Sequence, residues 1–496
     1  MNRDAALLKV AALEAKIRTR AVEAQRLMDY YRGDQKLRFA SDQFRFYFAK
    51  RYVDFSDNWC QVVGDSPTER LEVQGIRLPG DRSEVEEGQS GKLDADDDLW
   101  RVWGTNGMEA DSGLGFLSSI VTSRTFGLVW GNPDDEQTPE MTFEDGRECV
   151  VEYVPGSRRK RAAAMKMWDD GTNDYATLYM PDAVWKFQRP TQKASTAAGN
   201  GPSALTIHSG QGAWEPRQPS TDDVWPLPNP LGVVPMVEMQ NRPLLAENPL
   251  SDIGGVVAMQ DAVNLLWSQL FTASDYAALG QRIILGAEVP KMPILSDAGE
   301  VVGEKPVDMQ TLREKRLLWI PDENAKVAEW TAANLEAYTA VIDVAVGHIA
   351  AQTRTPQHYL VGKMANLSAD ALKAAETGLV KKTQEKQLYL GEGVREMFRL
   401  VALAQGDKDK ASRVAAGTVL WKDAEMRSEA QMVDALQKMS AIGFPFEWIA
   451  ERYGLTPTEI ERVVAMKQAE QDSALFGALM AQPTAPEPQQ PTPPAA

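Results

Sequence analysis

Asp94-x-Asp96-x-Asp98 sets three carboxylates at alternate positions, which is how an EF-hand loop begins to wrap calcium. Such a loop also needs glycine at its sixth place and glutamate at its twelfth. Counted from Asp94, those places hold Leu99 and Thr105. The triplet therefore reads as part of a solvated acidic loop over 81–98. A magnesium-dependent nuclease or ATPase built on these carboxylates is the enzymatic alternative, and Asp97→Asn would abolish its turnover. Gly88-Gln89-Ser90-Gly91-Lys92-Leu93 resembles a phosphate loop only in part. Its first glycine is misplaced, and Leu93 stands where a serine or threonine would hold magnesium. G-x-S-x-G, H-E-x-x-H and G-x-G-x-x-G patterns are absent from the sequence. His348 and His358 fall on either side of a predicted helix break, so they do not form a helical metal pair. His348 reads as a core or interface residue. Cys60 and Cys149 are too few for a disulfide framework or a four-cysteine zinc site, which makes a reducing compartment the default. No cofactor and no metal are expected. Asn366-Leu367-Ser368 fits the glycosylation pattern, but it is not accompanied by a secretory signal. Arg158-Arg159-Lys160-Arg161 reads as an exposed charged hairpin turn, with nucleic acid or an acidic partner as the other reading.

Composition narrows the field. The chain has 496 residues, 43 % hydrophobic and 25 % charged, which is a folded composition. Lysine and arginine number 53 against 70 acidic residues, a formal net charge of −17. A protein that wraps DNA by releasing counterions needs the opposite balance. DNA passing nearby without being gripped remains compatible. The first forty residues are locally basic, with 9 basic and 5 acidic groups. The best membrane-span candidate, Ile253–Leu279, is interrupted by Gln260, Asp261, Asn264, Gln269 and Asp275. The expectation is a soluble chain made inside the cell.

The elements that must position any site follow from periodicity. Residues 4–32 predict a helix stopped at Gly33. A dense aromatic run from Phe39 to Trp59 predicts a helix packing into a core. A helical pattern runs from Trp100 to about Arg124, then a strand over Phe126–Trp130. Alternation over 149–154, 163–168, 176–180 and 184–187, with turns at Pro155-Gly156 and Asp170-Gly171, predicts an antiparallel β patch. Residues 191–222 read as a mobile loop, and a short strand pinned by prolines follows over Asn229–Glu238. Val256, Met259, Val263, Leu266 and Leu270 recur at 3,4 spacing in a predicted helix over 252–279, and Leu335, Tyr338, Ile342 and Ile349 do the same in a second helix over 331–352. A Pro- and Gly-punctuated insert with β-like pieces separates the two. Pro356 ends the second helix, and Ser368 is placed to cap a third that runs to about Ala404, with Gly391 and Gly393 as possible kink points. Short helices broken at Gly443 and Gly454 fill 423–470, and a proline-rich tail from 481 reads as disordered.

Several pieces in this order resemble the portal proteins of tailed bacteriophages, the head-to-tail connectors, particularly those of phages infecting actinobacteria. They are Tyr30-Tyr31-Arg32-Gly33-Asp34, Asn58-Trp59-Cys60, Glu69–Gly75, Trp103 with Asn106, Gly127–Trp130, Pro230–Pro235 ahead of Asn241-Arg242, and Thr355-Pro356 ahead of Ser368–Leu372. The resemblance spans about residues 20 to 470.

The resemblance implies an α+β, portal-like subunit that assembles into a dodecameric ring. It implies a wing over 1–246, a stem of helices over 247–280 and 331–352, a clip over 281–330, a tunnel loop over 353–367, a long wing helix and connection over 368–420, and a crown over 421–480. Gln357, His358, Lys363 and Asn366 would face double-stranded DNA in the channel, with Pro356 and Ser368 as hinges. A surface lysine at an intersubunit contact is the alternative for Lys363. Val256, Met259, Val263, Leu266, Leu270, Leu335, Tyr338, Ile342 and Ile349 would form the stem interface between copies. Expected partners are the terminase large subunit, scaffold, major capsid protein and head-tail adaptor proteins, with no membrane. The expected place is the portal vertex of the virion, after assembly in the host cytoplasm, and no enzymatic activity is implied. A minor capsid or tail component without a DNA channel is the alternative.

Overall fold

The computed structural model describes residues 1–35, 57–79, 96–191, 212–217, 225–278, 282–285, 291–295, 301–306, 317–320, 327–329, 334–361, 369–425, 429–455 and 457–480. The aromatic run from Phe39 to Phe55, the acidic stretch 81–94 with its phosphate-loop-like segment, most of the loop 191–222, Lys363, Asn366, Ser368 and the tail from 481 lie outside the described residues.

Helix α1 (Arg3–Arg32) is capped by the Asn2 side chain, which accepts from the Ala5 N–H, and it stops at Gly33, whose φ of 81° closes the C-terminus. α2 (Trp59–Thr68) begins at an Asn58 cap and leads to β1 (Val73–Arg77). The helical pattern read from Trp100 onward is two helices, α3 (Asp97–Thr105) and α4 (Met108–Thr122). They are split at Gly107, which sits at φ 67°. There the backbone turns left-handed, which glycine alone does freely.

β2 (Arg124–Trp130) and β3 (Glu140–Asp145) follow, then four strands where alternation predicted them: β4 (Cys149–Tyr153), β5 (Arg161–Asp169), β6 (Asn173–Tyr179) and β7 (Ala183–Pro190). β4 to β7 form an antiparallel meander, extended by β8 (Glu215–Pro216) and β9 (Leu227–Pro228). β10 (Met236–Gln240) pairs with β2, and β2 with β3, in a separate three-stranded sheet.

α5 (Val257–Ala278) opens the central excursion. Its insert carries β11 (Arg282–Leu285), β12 (Lys291–Leu295), β13 (Val301–Pro306), β14 (Leu317–Ile320) and β15 (Val327–Glu329). β14-β11-β15 is a mixed sheet, and β12-β13 a hairpin. The chain returns through α6 (Glu336–Thr353), the short α7 (Gln357–Val361) and the long α8 (Ala369–Ala404). α9 (Lys408–Ala415), β16 (Thr418–Trp421), α10 (Glu429–Ala441), α11 (Phe446–Tyr453) and α12 (Pro457–Met480) complete the described chain.

Three of the buried clusters among the described residues tie these elements together. The first unites distant segments: Leu99, Trp103, Phe116, Ile120, Val129 and Met239 pack with Val394, Met397, Phe398 and Val401 of α8. β16 closes the same core by pairing antiparallel with β1. The expected kink glycines of α8 prove to be packing sites, since the helix runs through both. A Cβ on Gly393 would sit 2.4 Å from Met239 Cγ. In the second cluster the central helices meet Leu27, Tyr30, Cys60 and Val63. The third joins Ala6, Val10, Leu13 and Ile17 of α1 to the inward face of the meander. There Glu14 is held by Arg189 at 2.8 Å, Arg18 at 2.6 Å and the Trp214 indole at 3.0 Å. α1 thus ties the β meander to the central helices.

Asp96 and Asp98 are structural groups. Asp96 caps α3 through the Leu99 N–H, and Lys410 of α9 lies 2.9 Å from both carboxylates. The solvated-loop reading fails for these two residues. Among the described residues, no group of three His, Cys, Asp or Glu side chains comes together to hold a metal ion. Among them also, no helix is long and apolar enough to cross a membrane.

Candidate functional site

The apolar seams of α5 and α6 close on each other. Val256, Val263, Leu270, Ile342 and Ile349 are buried in one cluster, with Met259, Leu266, Leu335 and Tyr338 partly buried against it. The expectation that these nine face a neighbouring copy meets a different placement: the buried five are spent inside the subunit. Periodicity marks a face that must be covered, but not which chain covers it. α6 has a second stripe at the same spacing. Ala337, Val341, Val344, His348 and Ala351 are all exposed, Val341 at 53 % and Val344 at 59 %.

The polar residues that interrupt α5 dock it. Tyr30 donates its hydroxyl proton to the Asp261 carboxylate at 2.9 Å. Gln260 Oε1 accepts from the Trp59 N–H at 2.9 Å, and Asn264 Oδ1 from the Asp57 N–H at 3.1 Å. Gln260, Asp261 and Asn264 are buried, so each needs such a partner.

α6 ends one step before Pro356 acts. Arg354 takes a left-handed φ of 54°, and its N–H turns back to the carbonyls of Ala350 and Ala351. Thr355 N–H also reaches Ala350 O, at 3.1 Å. The irregular segment expected after Pro356 contains α7. On it Gln357 is exposed, whereas the His358 side chain is turned into the subunit, at 8 % exposure, with Nε2 3.9 Å from Glu376 Oε1 and its ring edge-on to Tyr359. His358 is therefore corrected from a channel-facing group to an internal one. Arg70 ties this junction together. Its guanidinium donates to the Tyr359 hydroxyl at 2.7 Å and to Ala424 O at 2.9 Å, and lies 3.4 Å from Glu376. One buried arginine thus joins the residues after α6, the start of α8 and the segment after β16.

A second buried charge cluster sits where α5, α6 and α8 converge. Asp252 Oδ2 lies 2.8 Å from both Lys382 Nζ and Lys386 Nζ. Asn241 donates to Asp252 Oδ1 at 2.9 Å and accepts from Lys386 at 2.6 Å. Lys382 also donates to Thr353 O, the last residue of α6, at 3.0 Å. Burial pushes the Asp252 carboxyl upward, but the two ammoniums and Asn241 outweigh it and hold the group below its ordinary value. Burial pushes Lys386 down to about 8, against the pull of Asp252. A cavity of about 90 Å³ opens beside the cluster.

A family model described as phage portal protein, SPP1 Gp6-like, matches residues 12–473. The chain belongs to that portal family. It is 26 % identical over 396 residues to the portal protein of Mycobacterium phage L5, covering 76 % of this chain and 71 % of that one. Against the portal protein of Mycobacterium phage D29 it is 26 % identical over 436 residues, covering 83 % and 78 %. A distant likeness to a solved neck of a native GTA particle, computed with C12 symmetry, has TM-score 0.41 and 10 % identity over 83 % of this chain and 92 % of that one.

Several sequence pieces that carried the portal resemblance are tie points in the structure. Tyr30, Asn58, Arg70 and Asn241 each fix one segment to another. Their roles were not legible, because the partners of Tyr30, Arg70 and Asn241, which are Asp261, Glu376 and Lys386, lie far along the chain. The one available signal was the i, i+4 spacing of Lys382 and Lys386, which puts two lysines on one helix face.

Proposed function

We propose that this portal-family chain acts as a structural, non-enzymatic subunit of a closed ring of twelve copies at one capsid vertex. The genome passes through the ring inward during packaging and outward at infection. The match of the family model across 12–473 carries this reading. Copies repeated head to tail close into a ring when the rotation between them divides a full turn. In this reading the wing is 1–246 together with 368–420, the stem 247–280 and 331–352, the clip 281–330, the tunnel loop 353–367 and the crown 421–480. The clip receives the terminase motor and later the adaptor proteins, and scaffold and major capsid protein bind the assembling ring.

A second copy of this chain is the proposed occupant of the exposed α6 stripe. An exposed apolar stripe at helical spacing asks for a cover, and a ring supplies one at every subunit. Gln357, Lys363 and Asn366 are the proposed DNA-facing groups. The net charge of −17 supports passage rather than capture, since a strongly basic wall would hold phosphates.

Electron microscopy of the purified protein, alone and with scaffold, tests the reading. Rings with an axial hole wide enough for duplex DNA are expected. A persistent monomer, or a ring without a hole, overturns it, and the latter points to another structural virion component.

A further inference from the structure

Two arginines and two lysines converge on one cavity of this acidic protein. Lys382 and Lys386 form its floor, and Arg242 and Arg354 stand exposed at its rim. Only Asp252 and Glu385 oppose them among the charged residues lining it. The floor is buried, with the Lys386 side chain at 2 % exposure and Asp252 at 1 %. One buried carboxylate thus faces two buried ammoniums, and an unbalanced buried charge is costly. Each ammonium has three protons. Lys382 donates to Thr353 O and Lys386 to Asn241, and both ammoniums lie 2.8 Å from Asp252 Oδ2. At the rim, Arg354 lies 3.7 Å from Glu385, a loose pair. Both rim arginines hold left-handed backbone, φ 45° at Arg242 and φ 54° at Arg354. Side chains other than glycine and asparagine seldom adopt that conformation.

We propose that this cavity is an oxyanion site that takes a phosphate group, with the lysines beneath it and the arginine guanidiniums closing from the rim. Planar guanidinium groups match tetrahedral oxyanions through paired donors, and a recessed cationic site strengthens each contact. The volume of about 90 Å³ suits one such group. The phosphate comes either from the backbone of a nucleic acid or from the free ion. The proposal goes beyond the portal reading and stands without it, because phosphate binding by the purified chain needs no ring.

Isothermal titration of the full chain with inorganic phosphate, at matched ionic strength in chloride, is the test. Saturable binding is expected. Arg242→Asn with Arg354→Asn should weaken it about tenfold or more. Asparagine suits the left-handed backbone at both positions, so the variant keeps its fold. Arg159→Asn, in the exposed basic hairpin and not among the residues lining the cavity, should bind as the unaltered chain does. Competition by a short DNA duplex, lost in the double variant, identifies the nucleic-acid backbone as the source; its absence identifies the free ion. No phosphate binding by the unaltered chain, or equal binding by the double variant, overturns the proposal. So does a double variant that loses ring assembly when the unaltered chain binds no phosphate, which would assign the cations to carboxylates of a neighbouring copy.

Discussion

Asp252 is the residue on which two buried ammoniums depend. Removing one partner of a buried ion pair leaves the other charge without compensation. Asp252→Asn is expected to destabilise the subunit by about 3–5 kcal/mol, read as a lowered midpoint in chemical denaturation. The acid limb carries the same signature. The folded carboxyl sits below its ordinary value of 3.8, so its contribution is fully present above that value. It is lost as pH falls below 3.8 towards the folded value, because only the unfolded chain then takes up the proton. The Asn variant should lack this component of the acid limb, and an unchanged limb would refute the assignment. Lys386 acts in the opposite sense. Its folded value of about 8 lies below the ordinary 10.5, so its burial works against stability below pH 8. That penalty is relieved as pH rises from about 8 towards 10.5.

At the scale of elements, the end of α6 separates two devices that look like one in the sequence. Pro356 was legible as a stop, but Arg354 closes the helix first. Arg354→Gly should raise subunit stability by several tenths to about 1 kcal/mol, because glycine takes the left-handed conformation without strain. Pro356→Ala should leave the helix end in place and shift stability by no more than about 1 kcal/mol; hydrogen exchange of the Arg354 and Thr355 amides reads both. A helix that lengthens past Arg354 on replacing Pro356 would reverse this order. Much of the rest was legible for local reasons. The meander strands announced themselves by alternation and by Gly156 and Gly171, which hold φ of 80° and 82° at its turns. The seams of α5 and α6 followed from 3,4 spacing. Three things were not legible. The break at Gly107 was hidden in an otherwise helical pattern. Gly391 and Gly393 read as weak points because the side chains they accommodate, Trp421 and Met239, come from other segments. The inward turn of His358 depends on Glu376, which belongs to the next helix.

For the whole molecule, the proposed ring would give the two stripes of α6 separate tasks, one in folding and one in assembly. Ile349 and Ile342 serve the subunit, while Val341 and Val344 are free to serve its neighbours. Val341→Asp with Val344→Asp is expected to leave the subunit folded, with stability within about 0.5 kcal/mol. It should shift purified protein from rings to monomers in analytical ultracentrifugation. A destabilised monomer, or rings formed at the usual concentration, would show that this stripe is not the contact between copies.

The pairing of β1 with β16 has a further consequence for how the polypeptide is made. A ribosome releases the N-terminal part of the first cluster long before it releases α8 and β16, which complete it. Until then Trp103, Phe116 and Met239 lack their cover, and contacts between such distant segments form slowly. The first cluster therefore stays incomplete until α8 and β16 have emerged.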